Sequence, residues 1–488
     1  MDNGAPQGHP SAGDPWSPAA APVPRPAAAP GRAGDDVAPA PVPRRRVLSW
    51  ALWDWGSAAF NAVITTFVFT VWLTSSAFVD PAVVAAADGA PDGSAAAQAL
   101  DDAIALHSEW LGWGIGLAGV VIALLAPVAG SRSDDSGHRK RWLGVHTGVV
   151  VLVSAAMFLV RPAADALTAN LLAGIALLAV GNVFFELAAV NYNATLTQVS
   201  TPRNVGRVSG FGWGMGYIGG IVLLALLFVG FIAPEVGWFG VTSADGLNIR
   251  AAVLTAAVWF GVFAVPVLVA VPEAPPSAAR ARDSFWQAYR RLFSDIAGLW
   301  RTARHTLRFL IASAVFRDGL AGVFTFGAVI ASGTFGFSTD QVLIFAIAAN
   351  LVAGLSTITS GWFDDRFGPK AVIVAALVGL LISGTAIFGL HAGGKTVFWV
   401  LGLMLSAFVG PAQTASRTML ARVIPPGRES EIFGLYATTG RAASFIAPVA
   451  FSAFIAFGGA QYWGIVGIML VLALGLALLL PVRLARTS

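Results

Sequence analysis

Apolar runs of about 20 residues recur along the chain, separated by shorter polar segments. A helix of about 20 residues crosses the roughly 30 Å of hydrocarbon in a bilayer, so each run predicts one membrane-spanning helix. The pattern predicts twelve spans, in two groups of six. They centre near Thr65, Val120, Val151, Ala179, Val222, Val262, Val323, Val352, Val378, Leu405, Pro448 and Leu472.

Composition supports the same class of protein. Hydrophobic residues make up 56% of the 488 residues and charged residues only 11%, whereas an average soluble protein has about 25% charged residues. The 54 glycines and 16 tryptophans suit closely packed membrane helices with aromatic anchors at the interfaces. The sequence therefore predicts an all-α membrane protein. Because it contains no cysteine, disulfides, thiolate metal sites and cysteine nucleophiles are excluded.

Basic side chains fall mainly in loops on one side of the predicted spans. Positive charge marks the cytoplasmic side of a membrane protein, and three arginines directly precede the first span. We therefore expect both termini to be cytoplasmic. The loops on that side contain Arg132, Arg139, Lys140, Arg141, Arg203, Arg207, Arg366, Lys370, Arg422 and Arg428, whereas only Arg161, Arg250 and Lys395 lie at the other side.

Composition shifts divide the chain into five segments. The first is rich in Pro, Ala and Gly and lacks the apolar core of a signal peptide, which predicts a disordered, uncleaved tail. In the linker, Ser284 and Gln287 form a capping box before apolar residues at helical spacing. We expect this amphipathic helix to lie along the inner membrane surface, with protein docking as the alternative. The segments are the tail 1–43, a first six-helix bundle 44–271 with an external loop at about 80–107, the cytoplasmic linker 272–306, a second six-helix bundle 307–482 and a cytoplasmic tail 483–488.

A polar turn occurs twice between apolar runs. Both copies read Gly, three residues, Asp, two residues, Gly, and then basic residues. Glycine permits close helix packing and a positive φ, and the Asp can pair with a base or cap a helix start. A repeated turn indicates two related halves. The copies are Gly130, Asp134, Gly137 and Arg139, and Gly361, Asp365, Arg366, Gly368 and Lys370.

A second repeat has a constant offset of 224 positions. Pro202, Gly210 and Gly216 follow the fourth span, and Pro426, Gly434 and Gly440 follow the tenth. Six plus six spans with a basic linker resemble the layout of the major facilitator superfamily. The resemblance implies two pseudo-symmetric six-helix bundles. The first loop copy departs from the superfamily's motif, because Asp135 stands where a base is usual.

Three stretches resemble a narrower family, which contains the fungal vacuolar amino-acid effluxer of autophagy and many bacterial relatives. They are Trp50–Phe60, Tyr192–Gly220, and Gly410–Arg417 with its continuation to Arg441. In the first stretch, Gly56 and Ser57 replace the family's usual Ala and Asn. The resemblance implies a secondary active transporter, not an enzyme, that exports an amino acid or similar zwitterion from a bacterium by alternating access.

Ionisable residues inside the apolar runs are the candidate functional residues, because a charge in hydrocarbon costs at least about 2.5–3.5 kcal/mol. Most lie in spans one, four, seven and ten, which line the central cavity in the superfamily. Asp54 has structural and functional interpretations of equal weight, and Glu186 and Arg417 are predicted to form gate salt bridges rather than to contact solute. The candidates are Asp54, Glu186, Arg317, Asp318, Arg417 and Arg441.

The adjacent pair Arg317 and Asp318 is the strongest functional candidate. Neighbouring helical residues point about 100° apart, so at least one must reach another helix. Such a pair could bind the two ends of a zwitterion, and Asp318, Asp54 or Glu186 could take a coupling proton. Arg441 is instead expected to brace the turn at Asp134.

Embedded amides form a second group of candidates. Interhelical hydrogen bonding is their default role, but those on spans four and ten could face solute. We expect no cofactor, metal or nucleic acid, since the sequence contains no Walker loop, nucleophile elbow or metal-ligand spacing. The expected partners are a small solute and the lipid bilayer, with a coupling proton left open, and the protein is expected to work as a monomer. The amides are Asn61, Asn193 and Gln413.

Two alternatives to this function stay open. One is export of an amphipathic compound. The other is a membrane scaffold or sensor that has kept the transporter fold, which would depend on the linker and the N-terminal tail.

Overall fold

The computed structural model describes residues 42–91, 93–273, 290, 304–424 and 428–482. Most of the predicted tail 1–43 and of the linker, including its amphipathic helix apart from Arg290, lies outside the described residues. The predicted tail 483–488 also lies outside them.

Twelve helices in the described ranges are long and apolar enough to cross a membrane, which confirms the predicted number. Helical segments connect them, and these ranges contain no strand. The spans are α1 Arg44–Leu73, α2 Ala95–Ser136, α3 Arg139–Leu159, α4 Leu167–Val199, α5 Val205–Ile232, α6 Ala244–Ala270, α7 Arg304–Gly333, α8 Ile344–Phe367, α9 Pro369–Gly389, α10 His391–Val423, α11 Glu429–Gly458 and α12 Gln461–Leu479.

The twelve spans form the two predicted bundles, α1–α6 and α7–α12. Because the number of spans is even, α1 begins and α12 ends at the same face, which we call the terminal face. The opposite face is the loop face. The bundles meet mainly where α2 packs on α11 and α8 packs on α5. These two contacts are equivalent under the internal repeat, as the pseudo-symmetric fold requires.

Glycines of the two sequence repeats bring these helix pairs together. A Cβ atom on Gly130 would lie 2.2 Å from the carbonyl oxygen of Ser430, and one on Gly434 would lie 2.5 Å from that of Ala126. In the equivalent contact, a Cβ on Gly361 would lie 2.5 Å from the carbonyl oxygen of Gly206. Backbones this close are characteristic of small-residue membrane interfaces.

The second span extends far beyond the length that a bilayer requires. It begins at Ala95 and runs for 42 residues, about 63 Å at 1.5 Å per residue. The connection predicted at about 80–107 is therefore largely helical, since a short helix, Pro81–Ala87, precedes it. Ser94 caps the long helix by accepting a hydrogen bond from the amide of Ala97.

Two spans depart from regular α-helix near the middle of their length. Part of α1 is a π-helix, Phe60–Phe67. The other span, α11, consists of an inner half, Glu429–Ala443, and an outer half, Ile446–Gly458, separated by a break. Irregular backbone inside a membrane must be satisfied by other groups and often lies at functional sites.

We expect Gly130→Ala to lower the free energy of unfolding by about 1–3 kcal/mol, because its methyl group would collide with the backbone of α11. Gly119→Ala on the same helix is the matched control, since its Cβ would meet nothing within 4 Å. Tryptophan fluorescence during thermal unfolding of the purified protein measures both. Equal melting temperatures for the two variants would contradict the close contact between α2 and α11.

Candidate functional site

A buried arginine joins the two bundles near the terminal face. Arg417 on α10 donates from Nε to the hydroxyl of Ser209 (2.9 Å) and from Nη2 to its carbonyl oxygen (2.7 Å). It also donates from Nη1 to Oδ1 of Asn193 (3.2 Å), the residue 224 positions earlier in the chain. Two positions equivalent under the repeat thus meet at the interface, and the arginine crosses to α4 and α5.

The same guanidinium makes an ion pair with the first span. Nη1 of Arg417 lies 3.6 Å from Oδ2 of Asp54, and only 4% of the arginine side chain is exposed. The hydroxyl of Tyr192 donates to that carboxylate oxygen at 2.8 Å. Trp50 stacks on Tyr192 (4.6 Å) and lies under the guanidinium (5.1 Å). The pair is therefore shielded by aromatic rings, and the gate role of Arg417 stays a prediction.

The first loop motif holds the start of α11. Oδ1 of Asp134 accepts hydrogen bonds from Nε of Arg139 (2.6 Å) and from the amide of Ser430 (3.1 Å), and Oδ2 accepts from the amide of Glu431 (2.9 Å). Arg139 also pairs with Glu429. A carboxylate is favoured at a helix N-terminus, where amides lack intrahelical acceptors. Asp134 thus caps a helix of the opposite bundle.

The second loop motif makes the reciprocal contact. Asp365 accepts hydrogen bonds from the amides of Gly206 (2.7 Å) and Arg207 (3.1 Å), the first turn of α5. Its neighbour Asp364 pairs with Arg422 at 2.9 Å. The motif's Asp was predicted to pair with a basic side chain or to cap a helix, and both kinds of contact are therefore present. The sequence did not indicate that the capped helix belongs to the other bundle.

The remaining residues of the loop motifs stabilise the turns themselves. Gly137 and Gly368 have φ values of 67° and 87°, as a turn glycine allows. The guanidinium of Arg366 lies over the ring of Trp362 at 5.4 Å. Lys370 donates to the carbonyl oxygens that follow α12, at 2.7 Å each, which favours a positive charge.

A half-exposed ion pair lies farther from the terminal face. Nη2 of Arg441 is 3.2 Å from Oε2 of Glu186, with side-chain exposures of 36% and 21%. At 1.5 Å per residue, both lie about 18–20 Å from the terminal-face ends of their helices. The expectation that Arg441 braces the turn at Asp134 is wrong, because Arg441 lies too far along α11. Glu186 does form a salt bridge across the bundles, but at mid-depth rather than near a helix end.

Arg317 and Asp318 both contact α11 and not each other. Nη1 of Arg317 donates to the carbonyl oxygen of Tyr436 at 3.1 Å, and its guanidinium lies 3.8 Å from that ring's centroid. Asp318 is 6% exposed and accepts a hydrogen bond from the amide of Ala447 at 2.5 Å. The hypothesis that these neighbours jointly bind a zwitterion is not supported, since each is engaged with backbone of α11.

The remaining candidate amides lie in different surroundings. Asn61 is exposed within the π-helix of α1, and its carbonyl oxygen accepts the hydroxyls of Thr65 and Thr66, both at 2.7 Å. Those hydroxyls supply hydrogen-bond donors to a backbone carbonyl oxygen in the widened turn of the π-helix. Gln413 is half-buried on α10, one turn before Arg417.

Sequence reasoning missed three contributors to these contacts. Tyr192 and Ser209 are polar rather than charged, so a search for embedded charges passes over them. Glu429 lies just outside the apolar run. The signal that could have found the first two is their position within the stretch Tyr192–Gly220, which carries the family resemblance. In the described part of the chain, no group of three His, Cys, Asp or Glu could hold a metal ion.

A family model described as "Vacuole effluxer Atg22 like" matches residues 197–488. An uncharacterised MFS-type transporter, YxiO of Bacillus subtilis (strain 168), is 25% identical over 433 residues, which cover 88% of this chain and 93% of the relative. Autophagy-related protein 22 of Cryptococcus neoformans is 24% identical over 302 residues. That match covers 57% of this chain and 53% of the relative, so the chain spans about half of its length.

Solved structures of major facilitator transporters share the fold. The proton:xylose symporter XylE bound to 6-bromo-6-deoxy-D-glucose has a TM-score of 0.65 at 12% identity, and covers 89% of this chain and 93% of its own. FucP in the outward conformation has a TM-score of 0.64 at 12% identity. The match covers 91% of this chain and 99% of the FucP chain. At such low identity the likeness concerns the fold alone, and it confirms the predicted two-bundle architecture.

We expect Arg417→Met to destabilise the protein by about 3–5 kcal/mol, because it leaves the carboxylate of Asp54 buried without its cation. Asp54→Asn in the same chain should restore at least half of that loss. Arg207→Met is the control, since its inter-bundle pair with Asp365 is 59% exposed on the arginine side and should contribute under about 1 kcal/mol. Thermal unfolding compares these three variants and the Asp54→Asn single variant with the wild type; strictly additive effects of the two substitutions would contradict the ion pair.

Proposed function

The chain belongs to the Atg22-like vacuole effluxer family, and from this membership we propose that it exports a small polar or zwitterionic, amino-acid-like solute by secondary active transport. It is a multi-pass membrane protein of the major facilitator type. We further propose that it lies in a bacterial cytoplasmic membrane. The basic loops at the terminal face support the assignment of that face to the cytoplasm.

The observation that carries the proposal is the half-exposed pair of Glu186 and Arg441 between the bundles. A guanidinium can bind a carboxylate through two parallel hydrogen bonds, and a carboxylate can accept from an ammonium group. A zwitterion could therefore replace each partner of the pair without leaving a charge unpaired. A solute with one charge would leave one of the two embedded charges uncompensated, which is costly.

The contacts near the terminal face support alternating access. The caps by Asp134 and Asp365, together with Arg417, join the bundles on the terminal-face side of the Glu186–Arg441 pair. We interpret this arrangement as the state with the cytoplasmic mouth closed. Opening it requires these contacts to separate, while the bundles rock about the site at mid-depth.

Glu186 is the best placed group for a coupling proton. The carboxylates of Asp54 and Asp318 already accept hydrogen bonds from a buried hydroxyl and a backbone amide. Glu186 has 21% of its side chain exposed and pairs with a partner that a solute could displace.

Purified protein in liposomes should move at least one amino acid, tested with a panel of amino acids and with and without a pH gradient. Glu186→Gln and Arg441→Gln should each lower that flux at least about 10-fold, the loss expected for a charged contact of 1.5 kcal/mol or more. Glu235→Gln, in an exposed loop, is the control. Wild-type flux in both site variants, or flux of amphipathic compounds alone, would overturn the proposal.

Introduced cysteines test alternating access directly, because the chain has none of its own. Asn61→Cys should react with a membrane-impermeant maleimide from the loop face, since its exposed amide would be costly in lipid and is proposed to line the solute path. Adding Arg417→Gln should weaken the closed mouth and raise labelling from the terminal face. Labelling that stays unchanged from both sides would contradict a mobile gate.

A further inference from the structure

The break in α11 has a clear cause in the sequence. A proline inside a helix removes an amide donor and clashes with the carbonyl four residues earlier. For Pro448 that residue is Ser444, and the two turn residues Ser444 and Phe445 separate the inner half from the outer half. The outer half then starts with amides that need acceptors from elsewhere.

The residue before the outer half cannot supply one. Phe445 occupies the N-cap position and makes no side-chain capping hydrogen bond. The acceptor comes from α7 instead, where Oδ2 of Asp318 takes the amide of Ala447 at 2.5 Å. Gly322 lies one turn further along α7 and lets this helix come close to Ala447. A Cβ atom added at Gly322 would lie only 3.0 Å from the Cβ of Ala447, which is tighter than an ordinary contact.

The neighbouring arginine holds the inner half of the same span. Arg317 donates to the carbonyl oxygen of Tyr436 and stacks on its ring. Gly440 leaves room for it, since a Cβ there would lie 3.1 Å from the guanidinium. A cation therefore meets a carbonyl group of the half that ends at the break, and an anion meets an amide of the half that begins there. The negative charge of Asp318 matches the dipole at the start of the outer half.

We propose that Arg317 and Asp318 form a clamp on the broken span α11, with each residue fixing one half, and that they thereby position Arg441. Arg441 lies in the last turn of the inner half, and its carbonyl oxygen accepts the hydroxyl of Ser444 at 2.8 Å. The angle at the break therefore sets where its guanidinium meets Glu186. Asp318 is a positioning residue in this scheme and carries neither solute nor proton. Its effect on transport rests on the function proposed above.

Hydrogen–deuterium exchange of the purified full chain tests the clamp without any solute. Asp318→Ala should speed exchange of the first amides of Ile446–Gly458 by about fivefold, the effect of losing a helix cap. Asp318→Asn keeps an acceptor oxygen and should stay within about twofold of wild type. Arg317→Ala should instead speed exchange within Glu429–Ala443.

A second pair of variants keeps the test valid if Asp318→Ala does not fold. Gly322→Ala should push α7 away from Ala447 and speed the same amides, whereas Gly327→Ala should not, since its Cβ would meet nothing within 4 Å. If the first amides of Ile446–Gly458 exchange at the wild-type rate in both Asp318→Ala and Gly322→Ala, the clamp is overturned. Exchange of these amides in Asp318→Asn that is as fast as expected for Asp318→Ala would also overturn it.

Transport by the same variants separates the clamp from the proposed function. Asp318→Asn should retain flux in liposomes and Asp318→Ala should lose at least about 10-fold of it, because only the former keeps Arg441 in place. If Asp318→Asn keeps these amides protected from exchange and yet loses flux, the positioning role is overturned. If the wild-type chain moves no solute, the proposed function fails, while the exchange contrast still decides whether the clamp exists.

Discussion

A charged group that lies between two membrane bundles must have a partner there, because an unpaired ion in a low-dielectric interior is strongly destabilising. In this protein several partners lie in the opposite bundle, although Asp134 also pairs with Arg139 of its own bundle. Arg417 needs Asp54, and the carboxylates of Asp134 and Asp365 need amides that belong to the other half. Separating the bundles at the terminal face therefore unpairs several charges at once, unless water enters to solvate them. The contacts at that face therefore stabilise one another.

Some contacts between the bundles follow the internal repeat, and others differ between the two halves. Where the halves agree, the two loop motifs cap α11 and α5 reciprocally, and glycines allow the same close contacts twice. Where they differ, Asn193 occupies the position equivalent to Arg417 and accepts a hydrogen bond from it. The symmetric contacts thus join the bundles in the same way twice, whereas the asymmetric charges give the two halves different surroundings.

Irregular backbone at mid-depth is satisfied by side chains in both cases. The π-helix of α1 receives the hydroxyls of Thr65 and Thr66, and the break of α11 receives the carboxylate of Asp318. A regular α-helix at either place would have needed no such side-chain hydrogen bond. The π-helix begins at Phe60, which stacks on Phe185 beside Glu186, and the break of α11 begins three residues after Arg441.

The class, the twelve spans, the two-bundle fold and the family could be predicted from the amino-acid sequence, because span length, loop charge and motif spacing are local properties that one chain displays in order. The sequence also identified Asp54, Glu186 and Arg417 as costly embedded charges. Their partners could be found only in the folded chain: Arg441 pairs with Glu186 rather than with the turn at Asp134, and Asp318 caps a broken helix. Partnership depends on which faces of distant helices meet across the bundles, and that geometry is set by the packing of the whole chain rather than by any local pattern.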